Sequence, residues 1–243
     1  MNLESPEGEV LLINKPLTWT SFDVVNKVRW LSKAKKVGHA GTLDPLATGL
    51  LILCSGKKTK TIEQIQSDEK EYTGTFYLGA TTPSFDLETE IDQQFDISHL
   101  TEEAIRNSFK KFTGDIQQIP PMHSAIKQGG KRAYVSARKG ETLELPPRSL
   151  SIPEFELTGC ELPLIHFRVV CSKGTYIRAL ARDIGQDLGV GAYLHALCRT
   201  RIGNYLLKDA YSIEDVITHY QLKKEKLKES EKEKSNNQQD TTN

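Results

Sequence analysis

Short apolar runs and amphipathic stretches alternate along this chain of 243 residues. Apolar or alternating runs predict β-strands at 9–14, 50–54, 72–80, 164–171 and 202–207. Apolar residues three or four positions apart predict helices at 20–31, 102–112, 177–188 and, over a shorter stretch, 192–197. A Thr-x-x-Asp pattern at Thr20 is typical of a helix start. The pattern therefore predicts strands interspersed with helices.

The apolar pattern stops at about Tyr220. Residues 221–243 first alternate Lys and Glu and then end in Asn, Gln and Thr, so they cannot bury a face. We expect a folded domain over 1–220 and a charged tail, a frayed helix or disordered, over 221–243. Within the domain, residues 114–148 are rich in Pro, Gly and basic residues, which predicts a projecting insertion with a short helical piece at 132–138.

Composition narrows the class of protein. A hydrophobic content of 37% and a charged content of 26% are typical of a soluble globular chain. The four cysteines form no C-x-x-C pair, so we expect reduced thiols in a cytoplasmic protein and no metal site. The net charge is zero, but bases and acids are segregated, and residues 27–36 carry five bases and no acid. Such segregation allows a basic face on a neutral protein.

The string Gly38-His39-Ala40-Gly41-Thr42-Leu43-Asp44-Pro45-Leu46-Ala47-Thr48-Gly49 holds a single carboxylate, Asp44. Pro45 disfavours helix at the residue before it, and the glycines permit turns that other residues resist. The apolar run at 50–54 follows directly. A loop held by a buried strand can present one acid in a fixed direction. An ordinary Asp-Pro turn is the alternative.

At full length this string resembles the catalytic loop of the TruB-type pseudouridine synthases, the bacterial tRNA pseudouridine-55 synthases. Four other segments match the family: Asn14-Lys15-Pro16, Lys70-Glu71-Tyr72, Pro120-Pro121-Met122-His123-Ser124-Ala125-Ile126-Lys127 and Lys173-Gly174-Thr175-Tyr176-Ile177-Arg178. The resemblance covers about residues 9–210. It implies a mixed α/β pseudouridine synthase fold, a bent, largely antiparallel sheet flanked by helices, with 114–148 as an RNA-binding thumb.

The resemblance also implies site residues. The catalytic residues are Asp44, Tyr72 and Arg178: Asp44 acts on the ribose, Arg178 keeps it ionised, and Tyr72 stacks on the target base and helps to take the C5 proton. The substrate-binding residues are His39, Tyr176, Leu197, Lys127, Lys131 and Arg132: His39 fills the gap left by the extruded uridine, Tyr176 and Leu197 line the pocket, and the three basic residues meet phosphates. Lys15 and Pro16 brace the catalytic loop. From local pattern alone, Tyr72 and Leu197 also fit core packing, Arg178 a surface arginine, and His39 a loop histidine.

The chemistry implied is an isomerisation that moves C1′ of the ribose from N1 to C5 of uracil, so no cofactor is needed. We expect a monomer whose partner is the T arm of tRNA, with no membrane or metal involved. The family usually carries a C-terminal PUA domain, in whose place this sequence has the charged tail, which predicts a short form. Two alternatives stay open: a non-catalytic RNA-binding protein or tRNA-folding chaperone, and a synthase acting on another RNA such as ribosomal RNA.

Overall fold

The computed structural model describes residues 1–122, 127–128, 131–132 and 145–239, and the side chains of all of these except 127, 128, 131, 132 and 232–239. Its helices are α1 (Ser21–Ser32), α2 (Ile62–Ser67), α3 (Glu102–Lys111), α4 (Ile177–Asp187) and α5 (Ile213–Gln239). Its strands are β1 (Val10–Lys15), β2 (Val37–Ala40), β3 (Ala47–Ser55), β4 (Lys70–Leu78), β5 (Ala80–Thr81), β6 (Gln93–Gln94), β7 (Gly114–Gln118), β8 (Lys127–Gln128), β9 (Lys131–Arg132), β10 (Arg148–Ile152), β11 (Glu154–Glu161), β12 (Leu164–Cys171), β13 (Ala192–Ile202) and β14 (Tyr205–Leu206).

The chain divides into two compact units. Unit 1 consists of Met1–Pro45, Gly49–Ile65 and Leu206–Asn243, and unit 2 consists of Leu46–Thr48 and Gln66–Tyr205. The candidate catalytic loop therefore ends where the chain passes from unit 1 into unit 2.

Unit 1 is built around β3, which pairs antiparallel with both β1 and β2. Apolar residues of β1 and β3 pack against one face of α1 and the first turns of α5. Thr20 caps α1 as the sequence predicts, because its hydroxyl accepts from the Asp23 amide while the Asp23 carboxylate accepts from the Thr20 amide. The cap at Thr20 fixes the start of α1 at the next residue, Ser21.

Unit 2 contains four strands in the order β13, β4, β12 and β11, all paired antiparallel. Aromatic rings fill the core beneath β4, where Phe76 stacks on Phe167 with ring centroids 4.1 Å apart. Phe155 and Phe109 close this cluster, the latter from α3. A separate pair, β7 and β10, closes the base of the 114–148 insertion. The mixed α/β, antiparallel fold expected from the sequence is confirmed.

One element differs from the sequence expectation. Residues 192–197 form the first half of β13 and not a helix, because their backbone pairs with β4. A register shift between Leu194 and Ala196 breaks the period-two alternation that would have marked a strand. Helix α5 runs to Gln239, over residues for which the sequence left a frayed helix and disorder as the two alternatives. Of the helical piece expected at 132–138, Arg132 lies in β9 and residues 133–138 lie outside the described residues.

Candidate functional site

Asp44 lies in a loop of unit 1 that side chains hold from both sides. On the N-terminal side, the buried Ser21 hydroxyl accepts from the Leu43 amide at 2.8 Å and donates to the Leu43 carbonyl at 3.2 Å. Ser21 is the first residue of α1, so the residue before Asp44 is fixed to a helix end. Leu43 is itself buried, whereas Asp44 is partly exposed. The backbone directly before Asp44 is thus held, while Asp44 itself is half-buried.

On the C-terminal side, the Pro45 carbonyl accepts two hydrogen bonds. The Thr18 amide donates at 2.9 Å and the Lys15 ammonium at 3.3 Å. Lys15 is fully buried, and its ammonium also donates to the carbonyls of Pro16 at 3.0 Å and Trp19 at 2.6 Å. Three carbonyls therefore take the three donors of this ammonium. The bracing role that the resemblance implies for Lys15 is confirmed by these contacts.

His39 lies on β2, the strand that leads directly into the Asp44 loop. Because β2 pairs with β3, His39 lies opposite Leu53. Beyond the loop, residues Leu46–Thr48 belong to unit 2. There the Thr48 hydroxyl donates to the Leu197 carbonyl at 3.3 Å. The chain leaving Asp44 is thus hydrogen-bonded, four residues later, to the strand that carries the candidate pocket leucine.

Tyr72 lies on β4 in the middle of the unit 2 sheet and is largely buried. Its neighbours in the register are Val169 on β12 and Arg199 on β13, and Leu197 lies opposite Gly74. Since cross-strand partners project to the same side of a sheet, Tyr72, Arg199 and Leu197 share one face. The structure therefore brings two of the predicted pocket residues together, beside a buried arginine that the sequence analysis did not select.

Tyr176 and Arg178 flank the start of α4. The side-chain amide of the buried Gln118, at the end of β7, accepts from the Tyr176 amide at 2.9 Å and donates to the Tyr176 carbonyl at 3.2 Å. Arg178 is 5% exposed, so it is not the surface arginine of the alternative interpretation. Its Nε lies 3.5 Å from a carboxylate oxygen of Asp86, and its Nη1 donates to the Ser84 carbonyl at 3.3 Å.

The residues just before Tyr72 serve the scaffold. The Lys70 ammonium donates to the carbonyls of Gln66 at 2.6 Å and Asp68 at 2.5 Å, at the end of α2. Burial, and then the charge of Arg199, lowers the pKa of Lys70. On the opposite side of β4, burial of Glu71 is outweighed by hydrogen bonds from Thr200 and Arg168, so the pKa of Glu71 lies below its usual value.

The basic residues of the insertion are described by backbone position alone. β8 and β9 pair antiparallel, with Lys127 opposite Arg132 and Gln128 opposite Lys131. The three basic residues predicted to meet phosphates therefore belong to one short strand pair. His123, in the matching segment before β8, lies outside the described residues.

Sequence reasoning missed four buried polar residues at the predicted site: Ser21, Asp86, Gln118 and Arg199. The first three contact predicted residues or their neighbours, and Arg199 lies opposite Tyr72 in the sheet. Each lies outside the strings that carry the family resemblance. A polar residue within a predicted buried element was the one available signal, since such groups must find partners.

No three His, Cys, Asp or Glu side chains in the described part of the chain gather into a group that could hold a metal ion. No helix there is both long and apolar enough to cross a bilayer.

Comparison with sequence profiles gives two matches that together span most of the chain. The profile described as TruB family pseudouridylate synthase (N terminal domain) matches residues 29–177. The profile described as tRNA pseudouridylate synthase B C-terminal domain matches residues 178–235. The first profile takes in Asp44 and Tyr72, and the second begins at Arg178.

Individual relatives agree with the profiles. A tRNA pseudouridine synthase B of Flavobacterium johnsoniae is 56% identical over 214 residues, which cover 85% of this chain and 93% of the relative. One of Phocaeicola vulgatus is 58% identical over 214 residues, covering 86% and 91%. One of Chlorobaculum tepidum is 50% identical over 218 residues, covering 88% and 91%.

Solved structures resemble the fold. The chain of a Cbf5-Nop10-Gar1 complex superposes with a TM-score of 0.72 at 29% identity, and that of an archaeal box H/ACA sRNP Nop10-Cbf5 complex with 0.68 at 25%. In both cases the match covers 93% of this chain and 57% of the other, so this chain spans little more than half their length.

Proposed function

Because this chain belongs to the TruB family of tRNA pseudouridine synthases, we propose that it converts uridine 55 in the T loop of tRNA to pseudouridine, with Asp44 as the catalytic carboxylate. The observation that carries the proposal is the fixed loop. The residue before Asp44 is held by Ser21 and the residue after it by Lys15 and Thr18, while Asp44 itself is half-buried. A reacting group held in this way loses little freedom on reaching the transition state.

The reaction breaks the bond between C1′ of the ribose and N1 of uracil and joins C1′ to C5 of the same ring. Electrons and atoms balance without an oxidant, because the proton on C5 is lost and N1 gains one. Asp44 serves either as a nucleophile at C1′ or as a base that takes the C2′ proton. Both routes need an ionised carboxylate directed at the sugar.

The unit 2 residues are proposed to bind the uracil. A uridine in a folded loop must leave its stack before its C1′ and C5 are accessible, and aromatic faces can receive it. Tyr72 and Tyr176 supply such faces, Leu197 supplies an apolar wall, and His39 fills the gap left in the loop. Rigid support for these roles comes from β4 beneath Tyr72 and from the Gln118 amide on the Tyr176 backbone.

Arg178 is proposed to keep the catalytic carboxylate ionised. Its guanidinium is a planar fork of five N–H donors, a geometry that suits bidentate pairing with a carboxylate. Lys127, Lys131 and Arg132 are proposed to meet phosphates of the T arm, since phosphate contacts fix the position of an RNA without reading its sequence.

Nucleoside analysis of unmodified tRNA incubated with the purified chain, with no added cofactor, tests the proposal. Position-by-position reading of the T loop is expected to give pseudouridine at position 55 with the wild-type chain and none with Asp44→Asn. Asp209→Asn, the same change at an exposed aspartate of unit 1, should leave the product unchanged. Binding without product would favour the chaperone, and product at another position or in another RNA would refute the choice of substrate.

A further inference from the structure

Helix α1 presents an exposed face in which aromatic and basic side chains alternate. Its residues are Phe22, Asn26, Arg29, Trp30 and Lys33, which we call the α1 face. The first four project to one side because residues three, four or seven apart align along a helix, and Lys33 follows as the residue that ends α1 in a left-handed conformation. The opposite side, with Val24, Val25 and Val28, packs into the core of unit 1. Phe22 is 66% exposed and Trp30 is 74% exposed, which is unusual for rings of this size.

The charge of the α1 face is positive. Arg29 and Lys33 are exposed on it, and the Lys27 ammonium lies 5.6 Å from the centroid of the Trp30 ring. The acid on α1, Asp23, is engaged in the cap, where hydrogen bonds from the Thr20 hydroxyl and amide hold its pKa below the usual value. The cap keeps this carboxylate at the helix start, away from Lys33.

The α1 face begins beside the catalytic loop. Ser21, which holds both backbone groups of Leu43, directly precedes Phe22. From Phe22 to Trp30 the helical part of the face extends about 12 Å, at 1.5 Å per residue. An RNA strand whose target nucleotide reaches Asp44 therefore has this face next to it within the same unit.

We infer that the α1 face binds the substrate RNA, with Trp30 and Phe22 contacting unpaired bases and Arg29 and Lys33 contacting phosphates. This inference rests on the proposed function for the identity of the RNA. Exposed aromatic rings among arginines and lysines fit RNA, because bases stack on the rings while the cations neutralise the backbone. A buried protein interface fits less well, because the core of such an interface is depleted of lysine.

Fluorescence tests the aromatic part. In Trp19→Phe, Trp30 is the one remaining tryptophan. Addition of tRNA is expected to quench or shift its emission, with a midpoint that matches the dissociation constant measured by filter binding. Unchanged Trp30 emission with bound tRNA would overturn the inference. Because binding is read directly, this result does not depend on whether pseudouridine is formed.

Charge reversal tests the basic part. Arg29→Glu with Lys33→Glu is expected to raise the dissociation constant for tRNA at least about tenfold and to reduce the salt slope by about 1.4–1.8, since each phosphate contact contributes about 0.7–0.9. Trp30→Ala should weaken binding by about fivefold or more. The control Lys110→Glu with Lys208→Glu reverses two exposed lysines elsewhere and should change affinity less than about twofold.

Two further results would refute the inference. One is an unchanged affinity and salt slope in the Arg29 and Lys33 double variant, with its fold verified by circular dichroism. The other is a chain that self-associates in sedimentation and loses this association with Trp30→Ala while tRNA affinity stays the same. The second result would make the α1 face a protein interface.

Discussion

Replacing Lys15 with Met isolates the brace on the catalytic loop. The side chains have similar length, and the ammonium that binds three carbonyls is removed. The Pro45 carbonyl keeps its bond from the Thr18 amide, but those of Pro16 and Trp19 lose this donor. An unsatisfied buried carbonyl costs about 1–3 kcal/mol. Both carbonyls belong to half-buried residues, where water can replace part of the lost donation, and loss of the ammonium relieves its desolvation. The expected destabilisation is therefore about 1–3 kcal/mol in total.

Thermal unfolding gives the stability readout. For a chain of this size, 1 kcal/mol shifts Tm by about 2–4 °C, so Lys15→Met should unfold about 2–12 °C below the wild type. Lys58→Met, the same change at an exposed position, should shift Tm by less than about 2 °C. A wild-type Tm in Lys15→Met would refute the argument that the three carbonyls need this donor.

Single-turnover kinetics on tRNA give the functional readout. Loss of the Lys15 bond loosens Pro45 and with it Asp44, and a loosely held reacting group costs on the order of tenfold in rate. If Lys15→Met fails to fold, Ser21→Ala tests the same support of the loop with a smaller loss of stability. It removes only the two hydrogen bonds to Leu43, worth about 1–2 kcal/mol. Full turnover in a stable Ser21→Ala would contradict the bracing argument.

The remaining predictions concern unit 2. Glu71→Gln should lower the free energy of unfolding by about 1–2 kcal/mol at pH 7, because the ionised carboxylate accepts from Arg168. The pKa of Glu71 is lowered on folding, so this contribution is complete above pH 4.5 and is lost as pH falls through the folded-state pKa. Urea unfolding at several pH values should therefore show the stabilities of the wild type and Glu71→Gln converging in acid. A stability difference that stays constant with pH would contradict this account. Gly74→Ala should destabilise by about 1–3 kcal/mol in the same assay, since its Cβ would lie 2.6 Å from a carbonyl oxygen of β13; a neutral result would show that the strand moves aside. Gln118→Leu should raise KM for tRNA by releasing the Tyr176 backbone, and an unchanged KM and kcat would argue against that support.

Sequence patterns predicted a feature correctly where the residues that determine it are contiguous in the chain. The Asp44 loop reads as one string, and the cap at Thr20 is a four-residue pattern, so both were predicted. The strand at 192–197 was not, because the bulge after Leu194 changes which side each residue faces and leaves a run that looks helical. Pairing with β4 determines this strand, and pairing is a property of the folded chain.

Sequence patterns also could not predict side-chain contacts between residues that are far apart in the chain. Arg178 was selected from its motif, but the Ser84 carbonyl that it contacts lies 94 residues earlier. The same holds for Gln118, which binds a backbone 58 residues later. No local spacing connects such pairs, so sequence periodicity could show that Arg178 begins a helix and not that it is buried beside Asp86.

The proposed catalytic carboxylate and the side chains that hold its loop in place thus come from different parts of the chain. The groups that hold the loop contact the backbone of Leu43 and Pro45 and leave their side chains alone. Substitutions that keep these backbone positions should therefore be tolerated better than the loss of Ser21 or Lys15, although neither of these belongs to the twelve-residue string. The loop supplies the carboxylate, whereas its direction is set by α1 and by the end of β1.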